Sequence, residues 1–435
     1  MLERYTRKEM GCVWTQENKF RKMLEVEKAV AQCQGEIKLI PSDVAQIIQK
    51  KAHFQIENIL KNEKKTRHDV TAFVQEVATQ VGEPAGAYVH FGLTSSDVLD
   101  SALALLIREA SSVLKKSFGC LKKTLWEQAK KYKEALCCGR THGRLAEPIT
   151  FGLKLAGFLM ELERNEQRFF RAVQQALVGK LSGAVGAYGT LPPELEQKVC
   201  TVLGLSAEPV ATQVVPRDRH AEVILSLALT ASGLERLAVE IRHLQRSEVG
   251  EVSEGFAPGQ MGSSAMPHKK NPIYSENVTG LSRLLRSYVS SALENIVLWH
   301  ERDISHSSVE REIFPSAFIL CDFALNRMVE VIQDLHVDEK RMLENLQSGG
   351  GVVFSSLLLT CLVQKGMPRS SAYKLIQSIS FNLRRGESLQ DRLLENTDIL
   401  KYLSPDEIKQ KFSLEKRKKQ ISLQVTEVLK RVQVQ

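Results

Sequence analysis

Two short stretches of this chain hold the residue types that acid–base chemistry needs. The first, GQMGSSAMPHKKNP from Gly259 to Pro272, has two glycines and two prolines bracketing Ser263, Ser264, His268, Lys269, Lys270 and Asn271. A glycine-rich backbone running into a helix can turn its N–H groups toward an anion, and Lys269 adds a full positive charge. The second, CCGRTHGRLAEPITFG from Cys137 to Gly152, sets Thr141 and His142 between Gly139 and Gly143. A histidine titrates near neutral pH and can hand a proton to a leaving nitrogen that would otherwise depart as an unstable anion. Taken alone, the first stretch also reads as an ordinary polar connection between helices and the second as a structural histidine.

Further polar clusters occur in KTRHDV (Lys65–Val70), in YVHFGLTSSDVLD (Tyr88–Asp100) and in HERDISHSSVER (His300–Arg311). Asp69, Ser95, Ser96 and Asp97 suit helix starts, so capping is an equal reading of the first two clusters. In the third, Arg302 and Arg311 could grip phosphate oxygens in the bidentate way that lysine cannot, or merely pair with Glu301 and Glu310 on a helix surface.

These clusters must be held by helices. Ile224, Leu227, Ala231, Leu234, Ala238 and Ile241 recur at spacings of three and four, as do Val278, Leu281, Leu285 and Tyr288, and Leu114, Phe118, Leu121 and Leu125. Phe151 to Ala176 follows the same pattern. Narrow apolar stripes on long helices need partner helices along their length, which predicts an all-α long-helix bundle and association between subunits. Glycine- and proline-rich punctuation falls at 179–193, 250–272 and 349–351. The expected division is a helical N-terminal domain over 1–111, the bundle over 112–364 and a smaller helical C-terminal domain over 365–435.

Composition narrows the class. The 435 residues are 43% hydrophobic and carry a net charge of +8, but 59 basic residues are interleaved with 51 acidic ones and aromatics are only 6%. That balance argues against nucleic-acid binding and suits a small anionic substrate. The dense run Lys416 to Lys419 reads as a solvated helix face. Eight cysteines include no CxxC pair and no zinc spacing with histidine, so we expect reduced thiols and no metal or other cofactor. No apolar run reaches the length of a signal peptide or a membrane span, giving the expectation of a cytoplasmic protein with no membrane partner.

GSSAMPHKKNP and GRTHG followed by Pro148 resemble the two signatures of the aspartase/fumarase superfamily, whose members cleave C–N or C–O bonds by β-elimination, in most cases releasing fumarate. The resemblance spans essentially the whole chain, strongest over 1–320. It implies the superfamily's all-α bundle, Ser263 as general base and His142 as general acid. Ser264, Lys269, Lys270 and Asn271 become substrate contacts. A neutral serine is a poor base, so the implied chemistry calls on Lys269, loop N–H donors and exclusion of water on loop closure. Further likeness is to the branch acting on succinylated purine nucleotides. ERYTRKEM with Trp14 implies nucleotide contacts at Arg4 and Tyr5. Arg67, His68, Asp69, Thr94 and Ser95 line the site by the same likeness, with His90 a weaker candidate. Arg302, Ser307, Ser308 and Arg311 match phosphate and purine contacts, and Gln213 and Asn277 the remaining polar ones. Arg144 and Lys270 stand where the commonest form has glutamine and arginine. The branch implies a homotetramer whose sites draw on several subunits. Argininosuccinate lyase, carboxymuconate cycloisomerase and a catalytically silent helical scaffold are the competing readings; the nucleotide-like contacts oppose the first two, and the joint presence of acid and base opposes the third.

Overall fold

The computed structural model describes residues 3–256, 259, 262, 265–384 and 386–432. The fold is all-α, as the periodicity predicts. Seven helices matter to the site: α1 (Gln16–Glu36), α2 (Asp69–Val81), α3 (Ser95–Lys131), α4 (Phe151–Ala176), α5 (Asp218–Gln245), α6 (Ile273–Glu294) and α7 (Ser305–Gln333). At 37 residues α3 runs about 55 Å. The predicted stripes are the buried faces: Ile224, Leu227, Ala231, Leu234, Ala238 and Ile241 on α5 are all at most 2% exposed, as are Leu114, Phe118, Leu121 and Leu125 on α3. Tyr288, which ends the α6 stripe, is only half-buried.

The chain forms two compact units, each assembled from three stretches. One comprises 1–118, 164–234 and 280–326; the other 119–163, 235–279 and 327–435. In the first, α1 packs with the helices around it through Phe20, Met23 and Val26, and Phe20 stacks on Phe73 of α2 at 5.7 Å between ring centres. Phe118, Phe169 and Phe318 tie α3, α4 and α7 together within the same unit, at 5.9 and 6.0 Å.

The second unit contains a feature that the helical periodicity did not predict. Residues around His142 form an antiparallel hairpin of β1 (Leu136–Thr141) and β2 (Arg144–Thr150), pairing Leu136 with Thr150 and Thr141 with Arg144. Cys138 of the hairpin packs among Leu346, Phe354, Leu358 and Leu362 in that unit's core. Among the described residues the other strands are two pairs only two residues long. No single helix among them is long and apolar enough to cross a membrane.

Candidate active site

In the first unit a cavity of about 340 Å³ opens beside α1, α3 and α7. Val13, Met23, Leu99, Leu103, Leu106 and Phe314 give it an apolar floor, while Lys19, Arg302 and Arg311 give it a cationic rim beside the Ser307 hydroxyl. Pro315, inside α7, also lines it. Having no N–H, Pro315 leaves the carbonyl of Arg311 without its usual helical donor, which loosens the turn that carries the arginine.

Each rim cation is held by a partner. Arg311 Nη2 donates to Asp69 Oδ2 at 2.7 Å, and Lys19 Nζ lies 3.3 Å from the same oxygen. Burial works to raise the Asp69 pKa, but the two cations outweigh it and hold the carboxyl at about 2. Arg302 Nη1 donates to Gln213 Oε1 at 2.8 Å, and Gln213 Nε2 is itself fixed on the carbonyl of Ala184 at 2.9 Å. Five predicted residues therefore gather here: Arg302, Ser307 and Arg311 line the cavity, and Asp69 and Gln213 position the arginines.

The remaining predicted residues of this unit lie around that group. His68 caps α2, its Nδ1 accepting from Thr71 N at 3.3 Å, so the capping role weighed for Asp69 belongs to its neighbour. Arg67 closes the preceding helix in a left-handed conformation, φ 53°. Thr94 and Ser95 open α3, where Asp97 accepts from Thr94 N at 2.9 Å and pairs with the buried Lys180. Ser308 Oγ turns back to the carbonyl of Ser305. Arg4 and Tyr5 sit in a short 3-10 turn with Tyr5 edge-on to Phe323, outside the cavity lining. His90 Nδ1 is 2.6 Å from the buried carboxylate of Glu27.

Sequence reasoning missed a buried charge cluster at the cavity wall. Arg217 donates to both oxygens of Asp100 at 2.8 Å, and its Nε lies 3.0 Å from Glu310 Oε1. Burial pushes Glu310 up to about 7. Asp100 is buried too, yet Arg217 holds it low. Burial and the same guanidinium keep His220 and His306 neutral, at about 3 and 4.

In the second unit His142 and Gly143 are the two central residues of the hairpin turn, with φ of +52° and +73°. Two consecutive left-handed residues are what a tight type I′ hairpin turn demands, and they hold His142 exposed at the tip. The hairpin is anchored close to its tip, two residues before His142: Arg140 pairs with Glu251, a 1% exposed carboxylate that also accepts from Asn345 at 2.8 Å.

Ser263 and Ser264 lie outside the described residues. The segment that carries them is fixed at both ends. Glu254 accepts from Ser275 N at 2.7 Å and Tyr274 N at 3.1 Å, closing the N-terminus of α6. Gln245 bridges the two ends: its Oε1 accepts from Glu254 N at 2.9 Å and its Nε2 donates to the Lys270 carbonyl at 3.0 Å. Asn271 donates to the Gly262 carbonyl at 3.0 Å. A Cβ at Gly262 would stand 2.2 Å from the Lys269 carbonyl oxygen, so only glycine fits. Lys270 lies over the Phe256 ring, and Asn277 is half-buried on the first turns of α6. No cluster of three or more metal-ligating side chains occurs among the described residues.

A family model described as Lyase matches residues 1–285, and one described as Adenylosuccinate lyase C-terminus matches 351–428. The chain is 47% identical over 415 residues to an adenylosuccinate lyase of Thermotoga maritima, spanning 95% of this chain and 96% of that one. It is 48% identical over 412 residues to an adenylosuccinate lyase of Aquifex aeolicus, spanning 94% of each. In fold it matches a fumarate lyase from Mesorhizobium sp. BNC1 with a TM-score of 0.88 at 23% identity, covering 99% of both chains. With its signatures, its helices and its relatives in agreement, the chain belongs to the adenylosuccinate lyase family of the aspartase/fumarase superfamily.

Proposed function

We propose that in this C–N lyase, which eliminates fumarate from adenylosuccinate to leave AMP, Ser263 is the general base and His142 the general acid. The same elimination applies to the succinylated aminoimidazole carboxamide ribotide of purine synthesis. Ser263, as its alkoxide, takes a proton from the succinyl β-carbon. The carbanion's charge spreads into the adjacent carboxylate, where Lys269 and backbone N–H donors stabilise it. The C–N bond then breaks, its electron pair leaves with nitrogen, and His142 protonates that nitrogen as the fumarate double bond forms. Ser264, Lys270, Asn271 and Asn277 contact the succinyl end. The phosphate enters the cavity rimmed by Arg302, Ser307 and Arg311, with Arg4, Tyr5, Arg67, His68, Asp69, Thr94, Ser95, Gln213 and Ser308 completing the nucleotide site. Remote phosphate binding contributes by orienting the reacting atoms.

The observation that carries this reading is that GRTHG and GSSAMPHKKNP, the latter departing from the commonest form only at Lys270, both stand in a chain 47% identical to an adenylosuccinate lyase along nearly its whole length. The enzyme works in the cytoplasm as a homotetramer whose sites are shared between subunits. Its functional parts are the nucleotide-contacting region 1–111, the bundle 112–364 and the C-terminal region 365–435. A steady-state assay following fumarate release by ultraviolet absorbance tests the reading. Both purine substrates should turn over and argininosuccinate should not; turnover of argininosuccinate alone would overturn it.

A further inference from the structure

We propose that Glu310 sets the affinity of the cavity for its anion: the site binds a phosphate while Glu310 carries a proton and loses affinity as Glu310 ionises. The inference rests on the reading that the nucleotide phosphate occupies the cavity rimmed by Arg302, Ser307 and Arg311.

The geometry supplies the reason. Glu310 stands on α7 three residues after Ser307 and immediately before Arg311, and it lines the same cavity as both. Its side chain is 10% exposed, so water screens little of its charge. One guanidinium, that of Arg217, serves two carboxylates, and it makes its paired hydrogen bonds to Asp100. Only the longer Arg217 Nη2 contact, at 3.3 Å, is a hydrogen bond to Glu310. Burying two carboxylates against one cation leaves an uncompensated negative charge, and the less well paired acid holds a proton most readily. Glu310 is that acid, with its pKa raised by burial to about 7.

The other groups facing it do not remove the imbalance. From α5, His220 Nδ1 lies 3.8 Å from Glu310 Oε1, but that ring is buried and neutral. His306, on α7 itself, is neutral for the same reason. Of the cavity cations, Arg311 and Lys19 are engaged by Asp69 and Arg302 by the neutral Gln213. An incoming phosphate thus meets the rim cations on one side and, when Glu310 is ionised, a buried negative charge on the other. Above its pKa, binding must draw one proton from solvent onto the Glu310 carboxylate.

The test uses AMP as a competitive inhibitor of the intact enzyme, with its inhibition constant measured from pH 6 to 8.5 for wild type, Glu310→Gln and Arg311→Ala. Glutamine keeps the shape and leaves the Arg217–Asp100 pair in place. The ionisation of AMP itself is common to all three proteins and cancels in their ratio. Wild type and Glu310→Gln should bind AMP equally at pH 6. At pH 8.5 the variant should bind up to about thirtyfold tighter, the factor by which one group of pKa about 7 has lost its proton. Parallel profiles, or a variant weaker at every pH, would overturn the role of Glu310. If Arg311→Ala also left AMP affinity unchanged, the cavity reading itself would fall; if Arg311→Ala weakened AMP while the Glu310→Gln profile ran parallel to wild type, only the Glu310 inference would.

Discussion

His142 stands exposed in a left-handed turn, a conformation that costs a non-glycine residue about 1 kcal/mol or more and is kept here by the hairpin on either side. A histidine spent in that way at a solvent-facing tip contributes nothing to the core, so His142→Ala should leave helical circular dichroism and thermal midpoint unchanged. Turnover should fall at least about a hundredfold to ten-thousandfold, the usual worth of one acid–base group. Ser263→Ala should behave in the same way. Retention of wild-type kcat by either variant would remove that residue from the mechanism. At this scale the sequence was legible where chemistry clusters in a motif: Arg302, Ser307 and Arg311 lie within ten positions and share a cavity. It was illegible where charge is assembled across the fold. Arg217 meets Asp100 across 117 positions and Glu310 across 93; Asp100 and Glu310 stand in polar clusters visible in the sequence, but Arg217 has no such neighbours and nothing in the spacing joins the three.

Helices were legible because their stripes are long enough to repeat, whereas β1 and β2 are six and seven residues with a register break between Cys138 and Arg140. So short and irregular a hairpin shows no period of two, and the two glycines around His142 suggested only a loop. The ends of the segment bearing Ser263 show a comparable device: one side chain, Gln245, joins Glu254 to Lys270. Gln245→Ala deletes two hydrogen bonds worth about 1 kcal/mol each. Spread over a protein of this size, that loss should shift the thermal midpoint by only a few degrees. Because Lys269 and Asn271 adjoin the lost contact, kcat should drop about tenfold or more. Gln245→Glu, which keeps the acceptor for Glu254 N, should recover part of that loss. A Gln245→Ala enzyme of normal kcat would show that the bridge does not position the catalytic segment.

Each compact unit is built from three stretches far apart in the chain, and every boundary between them falls inside one of the helices α3 to α7. Turn-forming residues mark loops, and helical periodicity runs through these boundaries unbroken, so sequence punctuation gives no sign of them. The narrow stripes led to an expectation of association between subunits, but within this chain they are already covered, and a separate surface feature bears on that expectation. Val297, Trp299 and Ile304, on the connection between α6 and α7, are 77%, 79% and 69% exposed, a cost that a partner surface would offset. If the sites of a tetramer take His142 and Ser263 from different subunits, two dead variants can repair each other. The most direct test mixes Ser263→Ala and His142→Ala in equal amounts under conditions that exchange subunits, then measures fumarate release. Random mixing should restore about one quarter of wild-type activity, because half of the subunits bring an intact histidine and half an intact serine to each site. No recovery, with exchange demonstrated independently, would contradict a shared site built on these two residues.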